Sequence, residues 1–465
     1  MNIIQIERNH VIPIKRQIYQ NIRDKILTGE FVAGQVLPST RELAENLKVS
    51  RNTVCEAYEM LIVEGFVLHR QGAPTRVAEG LCIGAYSEKK MKNIPLEKVK
   101  YTVDFQTGRP NLKQFPQYAW QQIMYKVVKD FAMEDLGYGD PEGMPVLRQE
   151  ISAWLLRNRG LYVKERDIFI TSGATQALHL ISNLLGGIEN KIAVEDPCNQ
   201  GVLQTLMNTG CRVEAISVDE EGMQVEQIRE NNFRAIYTTP SHQFPLGGIL
   251  PAVRRAALVR YAKENGAYLV EDDYDSEFRY IGESIAPLYA MAPGQVIYVG
   301  TFSKILFPAI RIGYVILPQE LQARWYDLRL HTDVQNAPYE QAALAEFLHT
   351  RKFDRHIKVM KKLYRQRRNI LLEALQFNFG KAWKSWGDAA GLHLAVEFED
   401  EIFDAEFFER CSEAGLRIVP VSYHTIRKDT HLNKLLLGYG HLEVDEIQQG
   451  IRILHDVMSS HHRMR

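Results

Sequence analysis

The sequence predicts an α/β protein preceded by a small helical module, and three observations carry that reading. Apolar, β-rich runs at Asp167 to Thr171, Lys191 to Glu195, Ala235 to Thr239, Tyr268 to Glu271 and Val296 to Gly300 alternate with helical stretches. Such alternation argues for a mostly parallel sheet covered by helices on both faces. A pair of capped short helices stands upstream, and from about Glu340 onward the chain is helical first and then mixed, which suggests a smaller C-terminal α+β subdomain. At 465 residues the chain has room for several folding units.

Ile14, Ile18, Ile22 and Ile26 stand on one helical face, and Gly29, Gly34 and Pro38 then break the pattern. Ser39 and Glu42 form a capping box for a short helix bearing Leu43, Ala44 and Leu47. Ser50 caps the next helix, with Val49 and Val54 as a hydrophobic staple and Val54, Ala57, Tyr58 and Leu61 as its buried stripe. After Glu64-Gly65, the runs Phe66 to Arg70 and Thr75 to Val77 flank Gln71-Gly72-Ala73-Pro74, a hairpin signal of the winged kind. This module takes residues 1–79. Residues 80–101 carry Ser87-Glu88-Lys89-Lys90-Met91-Lys92 without periodicity and read as a solvated linker, and residues 102–465 hold the α/β part.

The 56 basic and 57 acidic side chains nearly cancel, so any basic surface is local rather than global. Cys55, Cys82, Cys198, Cys211 and Cys411 are scattered and lack metal-ligand spacing, which suits a reducing cytosol and implies no zinc. The opening Met1 to Arg8 lacks a sustained apolar core, and no apolar run is long enough to span a bilayer. A cytoplasmic protein without a membrane partner is expected.

In a helix-turn-helix the second helix leads into the major groove with its N-terminal residues, here Arg51, Asn52 and Thr53. Arg51 suits bidentate bonding to guanine, whereas Ser39, Arg41 and Thr53 suit phosphate contacts, and Gly72 lets a wing approach the minor groove closely. Leu37-Pro38-Ser39-x-Arg41-x-Leu43-Ala44, Val49-Ser50-Arg51-x-Thr53-Val54-x-x-Ala57 and Glu64-Gly65-Phe66 together resemble the winged helix-turn-helix of the GntR family of bacterial regulators. The resemblance implies double-stranded operator DNA as a partner, with Arg41, Arg51, Thr53 and Gly72 at the DNA, joined by Ser39, Asn52 and Gln71.

Lys304, in Gly300-Thr301-Phe302-Ser303-Lys304, sits at the end of a predicted strand, where burial and a nearby cation favour the neutral, nucleophilic amine. Thr301 and Ser303 offer hydroxyls and Arg311 a fixed charge, a set suited to a phosphate dianion. Thr171-Ser172-Gly173-Ala174-Thr175-Gln176 leaves a strand and opens a helix, so its amides can cradle the same phosphate. Asp272, in Glu271-Asp272-Asp273-Tyr274, ends another strand where a carboxylate can keep a pyridine nitrogen protonated.

Asp272, Tyr274, Lys304, Arg311 and the glycine loop resemble the fold-type I aminotransferases, over roughly Asp104 to the C-terminus. That resemblance implies a large mixed sheet and pyridoxal 5'-phosphate as cofactor. The same resemblance implies that Lys304 would form the Schiff base, Asp272 would pair with the ring nitrogen and Tyr274 would bond the phenolic oxygen, while Gly173, Ala174, Thr175, Thr301, Ser303 and Arg311 would hold the phosphate. Tyr138, in Tyr138-Gly139-Asp140-Pro141-x-Gly143, matches a tyrosine that reaches the neighbour's phosphate, so a homodimer is implied. Glu271 to Phe278 and Pro240-Ser241-His242-Gln243-Phe244-Pro245 further resemble the MocR/GabR subfamily of GntR regulators, which implies a domain-swapped dimer.

The chain departs from a working transaminase at two positions. Asn199 stands where relatives carry an aromatic that stacks on the cofactor ring, and Leu436 stands where many carry an arginine for the substrate carboxylate. Alternation along a strand puts Lys434 on the same side as Leu436, which makes it a candidate displaced anchor. A carboxylate without a partner is costly to desolvate, so the expected effector is pyridoxal phosphate itself or an amine whose carboxylate lies elsewhere. The run Arg355 to Arg368, with Lys358, Lys361, Lys362, Arg365, Arg367 and Arg368 among Ile357, Met360, Leu363 and Tyr364, reads as an amphipathic helix with a solvated basic face. The function expected is a regulator in which aldimine formation at Lys304 changes dimer conformation and operator binding. The alternative is an aminotransferase carrying an accessory DNA-binding domain, against which Leu436 weighs.

Overall fold

The computed structural model describes residues 4–70, 72–83, 100–186, 190–228, 232–283 and 285–462, and divides into two compact units, Met1–Lys98 and Val99–Arg465. Gln71 and most of the expected linker, 84–99, lie outside the described residues. Among the described residues no helix is long and apolar enough to cross a membrane.

The first unit packs helices Ile14–Leu27, Thr40–Leu47 and Arg51–Val63 around Ile18, Ile22, Ile26, Val54, Ala57 and Leu61. Val67–Leu68 pairs antiparallel with Arg76–Val77 to complete the hairpin. Both caps form: Ser39 Oγ accepts from the Glu42 amide at 3.1 Å, and Ser50 Oγ accepts from the Thr53 amide at 3.1 Å. Each satisfies an amide that helix geometry leaves without an internal partner. Ser50→Ala is expected to cost about 1 kcal/mol of local helix stability. It should therefore speed hydrogen exchange in the first turn of Arg51–Val63 about fivefold, and unchanged exchange there would contradict the cap assignment.

The second unit is built on an eight-stranded sheet, with spatial order Ile168–Thr171, Gly313–Ile316, Val296–Thr301, Tyr268–Asp273, Ala235–Thr238, Lys191–Asp196, Arg212–Asp219 and Gly222–Met223. The central strands run parallel, and Gly313–Ile316 and Gly222–Met223 run antiparallel to their neighbours. The sheet is thus mixed, as the aminotransferase resemblance implied. Ile168 and Ile170 enter one core cluster while Phe169 enters another, and Val296 and Tyr298 oppose Ile297 and Val299 in the same way. This alternation buries both faces of the sheet, which accounts for strands that read as continuous apolar runs. A separate four-stranded antiparallel sheet of Lys384–Trp386, His393–Glu397, Lys434–Gly438 and Val419–Pro420 forms the C-terminal subdomain.

The basic run lies in helix Lys352–Phe379, with Met360 and Tyr364 buried. Arg367 corrects the expectation of a wholly solvated basic face. Its guanidinium is buried, donating to the Gly440 carbonyl at 2.6 Å and to Glu443 at 2.9 Å. Arg368 likewise turns to Asp388, at 3.1 Å.

Candidate functional site

Strand register brings the sequence-distant residues of the second unit together. Gly313 pairs with Thr301 on one side and with Thr171 on the other. The loop after Thr171, the turn after Thr301 and Arg311 therefore converge at one end of the sheet. Val299 lies beside Asp272 in the parallel pair, which sets the Asp272 strand end next to the turn carrying Lys304. In open α/β sheets this carboxyl end of parallel strands is where ligands bind.

These groups line a cavity of about 230 Å³ whose wall includes Ala174, Thr175, Asp272, Tyr274, Lys304 and Arg311. Thr301, Ser303 and Asn199 also line it. Helix Ala174–Leu184 begins there, after Gly173 at φ 85°, so its first-turn amides point outward from a positive helix end. Arg311 donates to the Ser172 carbonyl at 2.6 Å, and a Cβ on Gly173 would stand 3.1 Å from its guanidinium. A glycine here leaves the space that an anion between loop and arginine needs. Ser303 Oγ is buried without a hydrogen-bond partner among the described residues, which leaves it available to the same anion.

Burial holds the Lys304 amine below its ordinary pKa, with Arg311 acting in the same direction and Asp275 and Asp272 against it. Its Nζ donates to the Gly108 carbonyl at 2.8 Å. Gly108 is at φ 72°, and a Cβ there would lie 2.7 Å from Nζ, so the amine and this turn tolerate no side chain between them. Burial raises the Asp272 carboxyl to about 6, offset in part by Tyr237. Tyr237 donates to Asp272 Oδ2 at 2.7 Å, and Asp272 Oδ1 is buried with no partner among the described residues. An unpartnered carboxylate oxygen, an anion cradle and a nucleophilic amine around one cavity fit a phosphorylated pyridine aldehyde.

Tyr237, Gly108 and His242 belong to this site although the sequence reading gave them no role. His242 stood within a recognised motif, and its position between Tyr274 and Asp275 was not readable from it. Tyr274 lines the cavity, with its hydroxyl 2.9 Å from His242 Nδ1. Asn199 caps helix Gln200–Asn208, accepting from the Gly201 amide at 2.8 Å, and so has a local task in place of ring stacking. Tyr138 is 93% exposed and does not line the cavity of its own chain.

Leu436 is buried in a cluster with Val218, Leu246, Ala395 and Val421, away from the cavity wall. Lys434 is no displaced anchor. Its Nζ is bound to Glu397 at 2.7 Å and lies over the Trp386 ring, because antiparallel pairing sets Glu397 opposite Lys434. Lys304 and Arg311 line the cavity, and burial and the nearby His242 hold its His393 neutral, with a pKa lowered to about 3. Among the described residues no cluster of histidine, cysteine and acidic side chains is placed to hold a metal ion.

In the first unit Ser39, Arg41, Arg51, Asn52 and Gly72 are exposed, and Thr53 is half-buried with its hydroxyl 2.7 Å from Ser50 Oγ. Arg51 Nε lies 3.4 Å from Thr40 Oγ1, which sets the N-termini of the two helices side by side. Arg41 pairs with the exposed Glu45 at 3.5 Å, and Gly72 turns the hairpin at φ 80°. Ser39, Arg41, Arg51 and Asn52 thus present solvent-facing polar side chains, as a surface for phosphates and base edges requires.

Residues 14–77 match the family of bacterial regulatory proteins called gntR, and residues 104–433 match aminotransferase class I and II. The chain is 32% identical over 362 residues to the HTH-type pyridoxine biosynthesis transcriptional regulator PdxR of Corynebacterium glutamicum, covering 78% of this chain and 79% of that one. It is 28% identical over 470 residues to the probable rhizopine catabolism regulatory protein MocR of Rhizobium meliloti, covering 97% and 95%. The kynurenine aminotransferase of Pyrococcus horikoshii, solved with PMP and KYN as substrates, superposes with a TM-score of 0.72 at 29% identity, over 78% of this chain and 92% of that one.

Proposed function

We infer function from the premise that the chain belongs to the MocR/GabR type of transcriptional regulator, a GntR helix-turn-helix domain joined to an aminotransferase class I and II domain. The fold of the second domain implies pyridoxal phosphate. On that basis the protein is a DNA-binding regulator whose operator affinity is set by pyridoxal phosphate, alone or with an amino compound, held at Lys304. The observation that carries this reading is the buried Lys304 amine beside the Arg311 and Gly173 cradle and the unpartnered Asp272 oxygen.

When bound, pyridoxal phosphate supplies an aldehyde for an unprotonated amine and an electron-withdrawing ring. Lys304 presents that amine, kept nucleophilic by burial. Arg311, Ser303, Thr301 and the Gly173-Ala174-Thr175 amides would hold the phosphate, and Asp272 would keep a proton on the ring nitrogen. Tyr274 orients the phenolic oxygen. Leu436 in the core, Lys434 on Glu397 and neutral His393 leave an α-carboxylate without a cation, which favours pyridoxal phosphate itself or an amine whose carboxylate lies elsewhere. The pyridoxine biosynthesis role in the name of the PdxR relative agrees with a vitamin B6 ligand.

A homodimer supplies the conformational readout. Tyr118, Tyr125 and Val128 on helix Gln117–Asp130 are exposed together with Met133, Leu136 and Tyr138, an apolar stretch suited to a second copy. Ligand affects DNA affinity to the extent that it binds the dimer's two conformations unequally. Footprinting of the adjoining intergenic DNA with and without pyridoxal phosphate tests this. A footprint indifferent to saturating ligand would sink the regulatory reading, and multiple turnovers of amino donor and keto acid would replace it with an enzymatic one. Arg51→Ala is expected to weaken operator binding about ten- to a hundredfold, the worth of one bidentate base contact, with pyridoxal phosphate binding unchanged. Electrophoretic mobility shifts measure it, and wild-type affinity would remove Arg51 from the DNA.

A further inference from the structure

Tyr274 lines the cavity, yet its hydroxyl is also tied to a buried pair behind it. His242 Nδ1 lies 2.9 Å from the Tyr274 oxygen and 3.0 and 3.1 Å from the two carboxylate oxygens of Asp275. One nitrogen therefore faces three oxygens, and it can serve them in one way only. An imidazole nitrogen donates when it carries hydrogen and accepts when it does not. A lone pair on Nδ1 would point at the Asp275 carboxylate, so the hydrogen resides on Nδ1. With Nδ1 a donor, Tyr274 cannot give its own proton to the ring, and that O–H is turned toward the cavity. The opposite tautomer, with hydrogen on Nε2 alone, has only the Gly387 carbonyl at 3.4 Å to receive it, and it would draw the tyrosine proton inward.

Packing fixes this arrangement. The side chains of His242 and Asp275 are 2% and 1% exposed. A Cβ on Gly391 would stand 2.3 Å from His242 Cε1 and 2.6 Å from Asp275 Oδ2, and one on Gly247 would stand 3.0 Å from His242 Nε2. Neither ring nor carboxylate has room to turn. Burial opposes charge on His242, as does Arg279, but the Asp275 carboxylate together with the Gly387 carbonyl outweighs both and lifts the imidazole above its ordinary value. His393, with its ring 5.5 Å away, stays neutral and leaves that balance to Asp275.

We propose that Asp275 and His242 are positioning residues that commit the Tyr274 hydroxyl as a hydrogen-bond donor into the cavity, aimed at the ring oxygen of a bound pyridoxal-type ligand. This rests on the reading of the Lys304 cavity as a pyridoxal phosphate site. In an Asp275→Asn protein the carboxylate no longer selects the Nδ1 hydrogen, so the Tyr274 proton is free to turn into the ring.

The test is a double-mutant cycle on the full chain, with pyridoxal phosphate affinity read from absorbance titration and folding checked by circular dichroism. Asp275→Asn should weaken binding about tenfold when Tyr274 is present, the size of a hydrogen bond to a charged group. In the Tyr274→Phe background the same change should cost less than about twofold, because the donor it orients is already gone. Equal losses in both backgrounds, or no loss in either, overturn the proposal. Nitrogen-15 NMR of the histidine-labelled protein without ligand gives a separate readout, with the His242 signal assigned by its absence in His242→Asn. Hydrogen on Nδ1 in the wild type and a shift toward the Nε2 tautomer in Asp275→Asn are expected, and a wild-type Nε2 tautomer overturns the proposal. If wild-type protein fails to bind pyridoxal phosphate, the proposed function fails, while the NMR result still decides the His242 assignment.

Discussion

Lys304→Ala is expected to abolish the visible absorbance that the wild-type protein acquires with pyridoxal phosphate. The loss should be complete rather than graded, because the band reports a bond to that one nitrogen. Arg311, Gly173 and Asp272 remain in the variant, so residual noncovalent binding is expected through the phosphate and the ring nitrogen. Operator binding without ligand should be untouched, since Lys304 belongs to the second unit and Arg51 to the first. What should vanish is the difference in footprint that pyridoxal phosphate makes. Absorbance spectra and footprints of the two proteins check both parts. A visible band that survives in Lys304→Ala would assign the chemistry to another amine. A surviving footprint response without the band would show that occupancy alone, without the covalent bond, is the signal.

Much of this site was legible because its residues sit where chemistry and local structure coincide. Lys304 and Gly173 follow apolar strands and Asp272 stands near the end of one, and strand ends are readable from the end of an apolar run. The caps at Ser39 and Ser50 depend on neighbours three residues on, a range the sequence displays directly. What escaped depends on pairing between distant strands and turns. Lys304 meets the Gly108 carbonyl across 196 positions, and Tyr237 reaches Asp272 only because their strands lie side by side in the sheet. Lys434 shows the same limit from the other side. Alternation placed it correctly relative to Leu436, but its partner Glu397 is set by register within the small sheet, and that partner removes it from ligand binding. Arg367 sat among basic residues in a helical pattern, and the Gly440 carbonyl that draws it inward has no local signature.

The largest loss of stability is expected from Arg159→Met. Arg159 ends helix Pro145–Arg159 and binds Asp273 Oδ2 at 2.7 Å, with both side chains 3% exposed, and Tyr298 donates to the same oxygen at 2.6 Å. Removing one partner of a buried pair strands the other charge, which costs about 3–5 kcal/mol. The neighbourhood makes this worse. Burial, with the Asp273 charge adding to it, already raises Glu271 to about 7, and the same causes raise Glu277. A carboxyl whose pKa is higher in the folded than in the unfolded state stabilises the fold at low pH, and that contribution is lost as pH rises through the folded value. For the wild type this means lower stability above about pH 7, where the Glu271 contribution has gone. For Arg159→Met it means a deficit that grows with pH, because Glu277 loses the nearby cation that opposes the rise in its pKa. Urea denaturation at pH 5.5 and 8 should therefore show the variant's deficit larger at pH 8, and Asp273→Asn in the same background should recover part of it. A deficit below about 1 kcal/mol at both pH values would mean that the pair is not isolated from solvent. The consequence reaches the site, since Asp273 adjoins Asp272. The Arg159 pair holds the strand end on which Asp272 lines the cavity, so loosening it should weaken pyridoxal phosphate binding even where the fold survives.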